Sequence, residues 1–546
     1  MNTAMVVGGG GFQGLPVLRG LHAIGWRVVI ADSVSESLNR FEADAFHLMP
    51  LVKSQEAFRA ELISAAKQHE IRGVFPTTMF DLPALAALRP ELEGMGLAVF
   101  VSTPELVDLL SDKARTMSAA AAAGLPVLPI VGPDQDGISW PLIGKPRHGW
   151  GGLGIVAVSS WEEWQRKRRE VSPDAYLWQP LLAEFVEWSV DFAVRPDGHC
   201  SPMVCRRRLR ASGGFAVVSE MVHDAAVSGL AGDAATWLRS IGACGLFNIQ
   251  FLQEPNGALW LNDINPRPGT SSVCALSAGA NLVAFLVSGA EMSAPVPGLV
   301  VRTLAERFLP RLNGQIEGVV FDLDETLICQ KSWMRAKLGC VLANLQESME
   351  PEILARLRLE ALRIVDEGPW PQLIDLALAR TGLGADHARG LIELWRGADP
   401  GAVVVHQDAL ALMRAVKARD IPVALLSDNP AASQRQKIAR LPVGMTFDAV
   451  VLTDTLSAPK PDARGFVEVA ERLHLSAEKL LMVGDSPWRD ALGALRAGYA
   501  GAVIVKRDGG MSNPLRELFE EEFPDSKGRT AWLDSLYGVD RILELS

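Results

Sequence analysis

Val319-Val320-Phe321-Asp322-Leu323-Asp324-Glu325-Thr326-Leu327 is an apolar run that ends in two carboxylates and a hydroxyl. Val319 to Phe321 reads as a buried parallel strand, and Asp322 and Asp324, two residues apart, leave its C-terminal end on one side. Open α/β sheets hold their ligands at that edge. Neighbouring carboxylates repel and resist desolvation unless a cation sits between them, and oxygen ligands suit Mg²⁺. The stretch predicts an α/β sheet with a metal-assisted site at a strand end.

Downstream, Trp333 to Trp395 has helical spacing, as in Ile353-Leu357-Leu359-Leu362 and Leu373-Leu376-Leu378, and no strand pattern. It reads as a helical cap over about 330–400, with Trp333, Trp370 and Trp395 expected in its core. Alternation resumes with a helix from Ala409 to Ala418 and the strand Pro422 to Leu426, which ends in Ser427-Asp428-Asn429. Pro459-Lys460-Pro461 precedes another helix, and the strand Lys479 to Val483 ends in Gly484-Asp485 with Asp490 beyond. This set suits phosphoryl transfer to a carboxylate. Asp322 is the candidate nucleophile, and Asp324 the group that protonates the leaving oxygen and then activates water. Ser427 and Lys460 are expected to hold the phosphate, and Asp322, Asp324 and Asp485 to hold Mg²⁺. With all four motifs in order, residues from about 315 to 546 resemble the haloacid dehalogenase superfamily of phosphatases. The resemblance implies a Rossmann-like domain with a helical cap acting on a small phosphoester. It also implies that Thr326, Asn429 and Asp490 support or contact the substrate.

At the other end of the chain, Met5-Val6-Val7, Gly8 to Gly14, a helix to Ile24 and the strand Arg27 to Ile30 form a βαβ unit. Gly9, Gly11 and Gly14 fit G-x-G-x-x-G, with Asp32 near the position of a ribose acid. Read alone, this predicts a dinucleotide cofactor, and equally a tight turn into a packed helix. Gly73 to Pro76 and Ala98 to Val101 read as further strands around a helix from Leu82 to Leu92, making one doubly wound unit of about 105 residues.

Beyond it, Ser111-Asp112-Lys113 precedes an alanine-rich helix, and Pro141 to Pro146 is a strand ending in Lys145. Gly149-Trp150-Gly151-Gly152-Leu153-Gly154 leads into a strand from Ile155 to Val158. A hairpin with Gly151 and Gly152 at its turn can lay backbone N–H groups along a triphosphate, to which Lys145 adds charge. Phe247 to Phe251 and Leu259 to Arg267 read as neighbouring strands, in which Gln250, Asp263 and Asn265 alternate with apolar residues, so that Asp263 and Asn265 share a face. That oxygen-rich face suits Mg²⁺ against nucleotide phosphates, and Arg267 can neutralise a transferring phosphoryl group. In order and spacing these motifs, with Gln179 and Glu187-Trp188-Ser189-Val190-Asp191, resemble the ATP-grasp ligases over about 1–312, in particular the branch like the large subunit of carbamoyl-phosphate synthetase and related amino-acid ligases. The resemblance implies ATP phosphates on Lys113 and Lys145, an adenine hinge from Gln179 to Leu182, ribose on Glu187, and Mg²⁺ facing Gln250, Asp263 and Asn265. The opening glycines then belong to the Rossmann-like domain that precedes the grasp. Arg206 and Arg208, with Arg207 and Arg210, are candidates for a substrate carboxylate, or simply a solvated strand edge.

The chain of 546 residues is too long for one core. The net charge of −11 argues against nucleic acid or an anionic membrane as partner. No leader pattern and no apolar run of about 18 residues is visible, so a cytoplasmic protein is expected. The six cysteines have no CxxC spacing, which suggests neither zinc nor a disulfide framework. The expected domains are 1–105 (Rossmann-like), 106–312 (ATP-grasp, α+β) and 315–546 (haloacid dehalogenase-like), with Pro310 to Gly314 as linker. The expected function is an ATP-dependent carboxylate–amine ligase joined to an Mg²⁺-dependent phosphatase. Its partners are a small-molecule carboxylate, an amine and a phosphoester, and a homo-oligomer is compatible with the reading. Alternatively the ligase alone works, with the second part clearing or sensing phosphate.

Overall fold

The computed structural model describes residues 2–149, 152–212, 215–303, 309, 311, 315–384, 386–507 and 516–545. The chain divides into two compact units, Met1–Ala305 and Glu306–Ser546. Among the described residues no helix is long and apolar enough to cross a membrane.

In the first unit, β1 (Thr3–Val7), β2 (Arg27–Asp32), β3 (Ala45–Leu48), β4 (Ile71–Pro76) and β5 (Ala98–Val99) form a parallel sheet in the order β3-β2-β1-β4-β5. The last strand is shorter than the expected Ala98 to Val101. Successive side chains of β1 face opposite ways, as strand geometry requires. Met5 and Val7 pack with Phe58, Leu62 and Leu85, whereas Ala4 and Val6 share a core with Ala193, Val204, Met221 and Leu282. The boundary read at 105 therefore lies inside a compact unit whose core draws on residues from both sides of it.

Two antiparallel sheets follow. β6 (Leu142–Pro146), β7 (Val156–Val158) and β8 (Tyr176–Pro180) are arranged β7-β6-β8. β9 (Val186–Val194), β10 (Val204–Ser212), β11 (Phe215–Met221), β12 (Gly245–Gln253), β13 (Leu259–Asn265) and β14 (Gly298–Val301) are arranged β13-β12-β9-β10-β11-β14. Trp150, Gly151 and most of the proposed linker lie outside the described residues.

The second unit is a six-stranded parallel sheet of β15 (Gly318–Phe321), β16 (Val423–Ser427), β17 (Ala449–Leu452), β18 (Leu480–Gly484), β19 (Gly501–Val505) and β20 (Thr530–Leu533). Its order is β17-β16-β15-β18-β19-β20. Every residue of β15 is buried, as a central parallel strand covered on both faces demands. Val319 and Phe321 pack with Leu425, Leu481 and Val483, and Val320 packs on the other face with Leu426, Met482 and Ile504. Strand order reverses between β15 and β18, which opens a crevice beyond their carboxyl ends. The helices Gln330–Leu345, Pro351–Glu367, Leu373–Thr381 and Asp386–Gly397 build the cap around Ile364, Val365 and Leu357.

Two candidate active sites

In the first unit the site lies where β6, β8 and β13 meet the helix Lys113–Ala122. Asp112 caps that helix, accepting from the amides of Ala114 (3.0 Å) and Arg115 (3.2 Å), and also binds Arg147 just past β6. The cap fixes Lys113, whose Nζ donates to Asp263 Oδ1 at 2.8 Å. Lys145 Nζ donates to Asn262 Oδ1 (2.6 Å) and Gln179 Oε1 (3.2 Å). Asn265 Nδ2 donates to Asp263 Oδ2 at 3.1 Å, and Arg267 Nη2 to Asn265 Oδ1 at 2.9 Å. Gln250 pairs in register with Asp263. Burial lowers the Lys145 pKa to about 8, with Asp263 opposing and Lys113 adding to the fall. Burial works to raise the Asp263 pKa, but Lys113, Asn265 and Lys145 hold it below the ordinary value. Lys113, Lys145 and Arg267 thus converge on one carboxylate, a surplus of positive charge suited to an anion.

Asn262 has no place in the strand alternation, which puts it on the face opposite Asp263. The structure explains the exception. Gln250 pairs with Asp263 but Phe251 pairs with Leu261, so Asn262 is the extra residue of a β-bulge. A bulge re-aims its side chain, here toward Lys145.

The arginine run is a correction. Arg206 is buried in an ion pair with Asp191, itself bound by Asn248 (2.8 Å) and Ser272 (2.7 Å). It is structural and closed to a substrate carboxylate. Arg207 pairs with Glu220, and Arg208 with Glu187 at 2.9 Å. Arg206 to Arg208 are neither a free cluster nor a bare edge, because adjacent strands supply a carboxylate for each of the three. Leu182 is half-buried in the segment after β8, and Gly152 is exposed with φ +75°.

The opening glycine loop is filled by the protein's own groups. Gly10 N donates to Asp32 Oδ2 (2.8 Å), and Asn39 Nδ2 donates to the carbonyls of Gly9 (2.6 Å) and Gly11 (2.7 Å). A Cβ on Gly14 would lie 2.0 Å from the Gly9 carbonyl oxygen, so the glycine there serves a close turn into the helix Gly14–His22.

In the second unit, Asp322 follows β15, its amide held by the Val483 carbonyl at 2.9 Å. Glu325, at φ +56°, bends the chain just after Asp324. Lys460 Nζ bridges Asp322 Oδ1 (2.7 Å) and Asp490 Oδ1 (2.6 Å). Burial opposes the Lys460 charge, but Asp322, Asp490 and Asp428 outweigh it and raise its pKa. Asp322, Asp485 and Asp490 each offer a carboxylate oxygen within 4.8 Å of the others. Burial pushes the Asp322 pKa up to about 7; Lys460 opposes this, while Asp490 and Asp324 add to it. A carboxylate forced toward neutrality beside two others is a donor set that a hard divalent cation relieves.

Two assignments change here. The Asp324 carboxylate stands outside the metal-type cluster, because Lys437 (2.5 Å), Asn429 (2.6 Å) and Gln434 (2.8 Å) hold it elsewhere. Burial would raise its pKa, but Lys437, Gln434 and Asn429 keep it below the ordinary value. Thr326 is fully buried and its Oγ1 lies 3.4 Å from Asp322 Oδ2, so it supports the nucleophile rather than touching substrate. Ser427 Oγ accepts from Gln434 Nε2 at 2.5 Å. Gln434, Lys437, Asp428 and Arg489 are site residues that the sequence reading missed. Asp428 accepts from Thr453 Oγ1 (2.7 Å) and the Lys460 amide (2.9 Å), and it pairs with Arg489. Asp322, Asp324, Ser427, Asp428, Asn429, Lys437, Lys460, Asp485, Arg489 and Asp490 line a cavity of about 1030 Å³ that continues under the cap, with Gln434 buried behind them. Trp333, Trp370 and Trp395 line it too, so they are cavity walls as well as packing residues.

Residues 316–498 match the haloacid dehalogenase-like hydrolase family. A phosphoglycolate phosphatase from Rhodospirillum rubrum is 32% identical over 212 residues, covering 37% of this chain and 84% of that protein. The chain belongs to the haloacid dehalogenase-like hydrolases. A glyceraldehyde 3-phosphate phosphatase from Methanopyrus kandleri is 25% identical over 219 residues, 38% of this chain and 91% of that protein. Residues 173–304 match a second family, described as ATP-grasp in the biosynthetic pathway with Ter operon. Among solved structures, the ADP complex of N5-carboxyaminoimidazole synthetase from Staphylococcus aureus is 17% identical, with a TM-score of 0.47, covering 56% of this chain and 82% of that one. The chain is thus a two-part enzyme, an ATP-grasp ligase-type domain followed by a hydrolase of the phosphatase type.

Proposed function

We propose that the second unit hydrolyses a small phosphomonoester through a phosphoaspartate at Asp322, and that the first unit joins a small carboxylate to an amine with ATP. The observation that carries the hydrolase reading is the placement of Asp322 at the floor of the cavity, against Lys460 and beside Asp485 and Asp490. An Asp322 oxygen attacks phosphorus and the ester P–O bond breaks, with the leaving oxygen taking a proton from Asp324. Water then attacks phosphorus and gives a proton to Asp324, the Asp322–phosphorus bond breaks, and inorganic phosphate leaves. Ser427 and Lys460 hold the phosphoryl oxygens. Asp322, Asp485 and Asp490 would hold an Mg²⁺ ion, whose charge would let a phosphate dianion approach a carboxylate. The resting Asp324 is ionised, the state needed to activate water; to act as an acid it must first leave Lys437 and take up a proton from solvent as substrate enters.

In the first unit, Lys113 and Lys145 would hold ATP phosphates, the segment from Gln179 to Leu182 the adenine, and Glu187 the ribose in competition with Arg208. Gln250, Asp263 and Asn265 would face the Mg²⁺ that accompanies the nucleotide. The γ-phosphoryl group passes to an oxygen of the substrate carboxylate, giving ADP and an acyl phosphate. The amine then attacks the carbonyl carbon and expels phosphate, with Arg267 neutralising the charge in transit.

Full-length Asp322→Asn protein tests the division of labour. Phosphate release from p-nitrophenyl phosphate is expected to fall by roughly a thousandfold or more, as when an essential nucleophile is lost. Carboxylate-dependent ADP release is expected to persist. Loss of both together, or of neither, would contradict the proposal.

A further inference from the structure

The floor of the hydrolase cavity is polar and internally paired, whereas its roof joins three indoles to a lysine that, among the described residues, has no anionic partner. Three buried lysines line the cavity: Lys460 is bound to Asp322 and Asp490, and Lys437 to Asp324 and to Gln330 Oε1 at 2.7 Å. The third, Lys337, stands on the first cap helix and is only 4% exposed. Its Nζ lies over the Trp395 ring, 5.6 Å from the centroid, and among the described residues no carboxylate or carbonyl pairs with it. Asp399, whose charge opposes the fall in the Lys337 pKa, is itself bound to Arg440. An ammonium that opens into the cavity with no anion beside it leaves that end of the cavity positively charged. An indole face satisfies it only in part. Trp333 and Trp370 complete an aromatic wall around the same space. A volume of about 1030 Å³ is at the upper end of small-molecule sites and far exceeds a bare phosphate.

Resting on the phosphatase reading above, we propose that Lys337 determines specificity by receiving a carboxylate of the substrate, a phosphomonoester whose organic part is flat and acidic. The phosphate end meets Asp322 and Lys460. The flat body lies among the three indoles, where aromatic faces are favourable. The carboxylate completes Lys337. One buried cation without a partner calls for one negative charge, so a carboxylate suits it better than a second phosphate, whose dianion would leave charge uncompensated in the same space.

The test uses the full-length protein with Mg²⁺ and two esters that differ only in charge, 4-carboxyphenyl phosphate and its neutral isostere 4-carbamoylphenyl phosphate. The wild type is expected to favour the carboxylated ester by about tenfold or more in kcat/KM, chiefly through KM, as a charge-assisted contact implies. Lys337→Met should bring that ratio close to one, and Lys337→Arg should retain most of it. Benzoate should inhibit the wild type competitively and benzamide far more weakly, a comparison that needs no variant. Equal turnover of the two esters by the wild type, or an unchanged ratio in Lys337→Met, would overturn the assignment and leave the phosphatase reading intact. Turnover of neither ester would overturn the phosphatase reading, and this inference with it.

Discussion

The two sites are built from opposite charge. In the first unit, Lys113, Lys145 and Arg267 surround the single carboxylate Asp263. In the second, Asp322, Asp485 and Asp490 crowd together with Lys460 as their central cation. A surplus of cations fits a site that holds a nucleotide and passes its phosphoryl group on. A surplus of carboxylates fits a site that needs a metal and takes the phosphoryl group onto itself. On the proposed reading, phosphoryl chemistry meets two different kinds of protein site, and the difference can be attacked from either side.

The largest effect is expected from Lys460→Met. It removes the ammonium that holds Asp322 and Asp490 together, and phosphate release should fall by roughly 10²- to 10³-fold while ADP release is unaltered. A comparable loss of ADP release would break the comparison. Asp490→Asn should raise the Mg²⁺ concentration for half-maximal phosphate release by about 10- to 100-fold, measured by titrating metal back into chelator-treated protein. The cationic site should respond to pH instead. Lys145 is charged below about pH 8, so KM for ATP should be flat there and rise above it, while Lys145→Arg, which keeps its proton, stays flat through the same range. The linkage has a definite sign. Between about 8 and the ordinary 10.5 the unfolded lysine binds more protons than the folded one, so this group's contribution to stability improves as pH rises through that window. The smallest effect belongs to Thr326→Val, which removes one long contact to Asp322 and should lower kcat for phosphate release by about two- to tenfold.

Strand ends were the legible part of the molecule. β15, β16 and β18 are apolar runs that stop at Asp322, Ser427 and Asp485, and a parallel sheet gathers such ends along one edge. Lys113, Lys145, Asp263 and Asn265 converge differently, from a helix N-terminus and from the ends of strands in two antiparallel sheets. What escaped notice depends on pairings that no local pattern displays. The helix Ala431–Ile438 reads as a solvated polar segment, yet Gln434 and Lys437 are both buried. Their spacing of three from buried Ala431 was the available signal, polar residues standing on the inward stripe of a helix. Asn262 was hidden by a bulge, which strand alternation does not anticipate. Arg206 and Arg208 looked available because Asp191 and Glu187, which neutralise them, lie on a separate strand brought alongside by register.

The contrast between a site that hands on phosphate and a site that bears it is tested most directly by trapping. Full-length protein turning over a phosphomonoester is quenched and reduced with borohydride, which converts an acyl phosphate on an aspartate to homoserine, and its peptides are then mapped by mass spectrometry. Reduction is predicted in the peptide spanning Asp322, and none in the peptide spanning Asp263. Absence of the mark at Asp322 during active turnover, or its appearance at Asp263, would contradict the account.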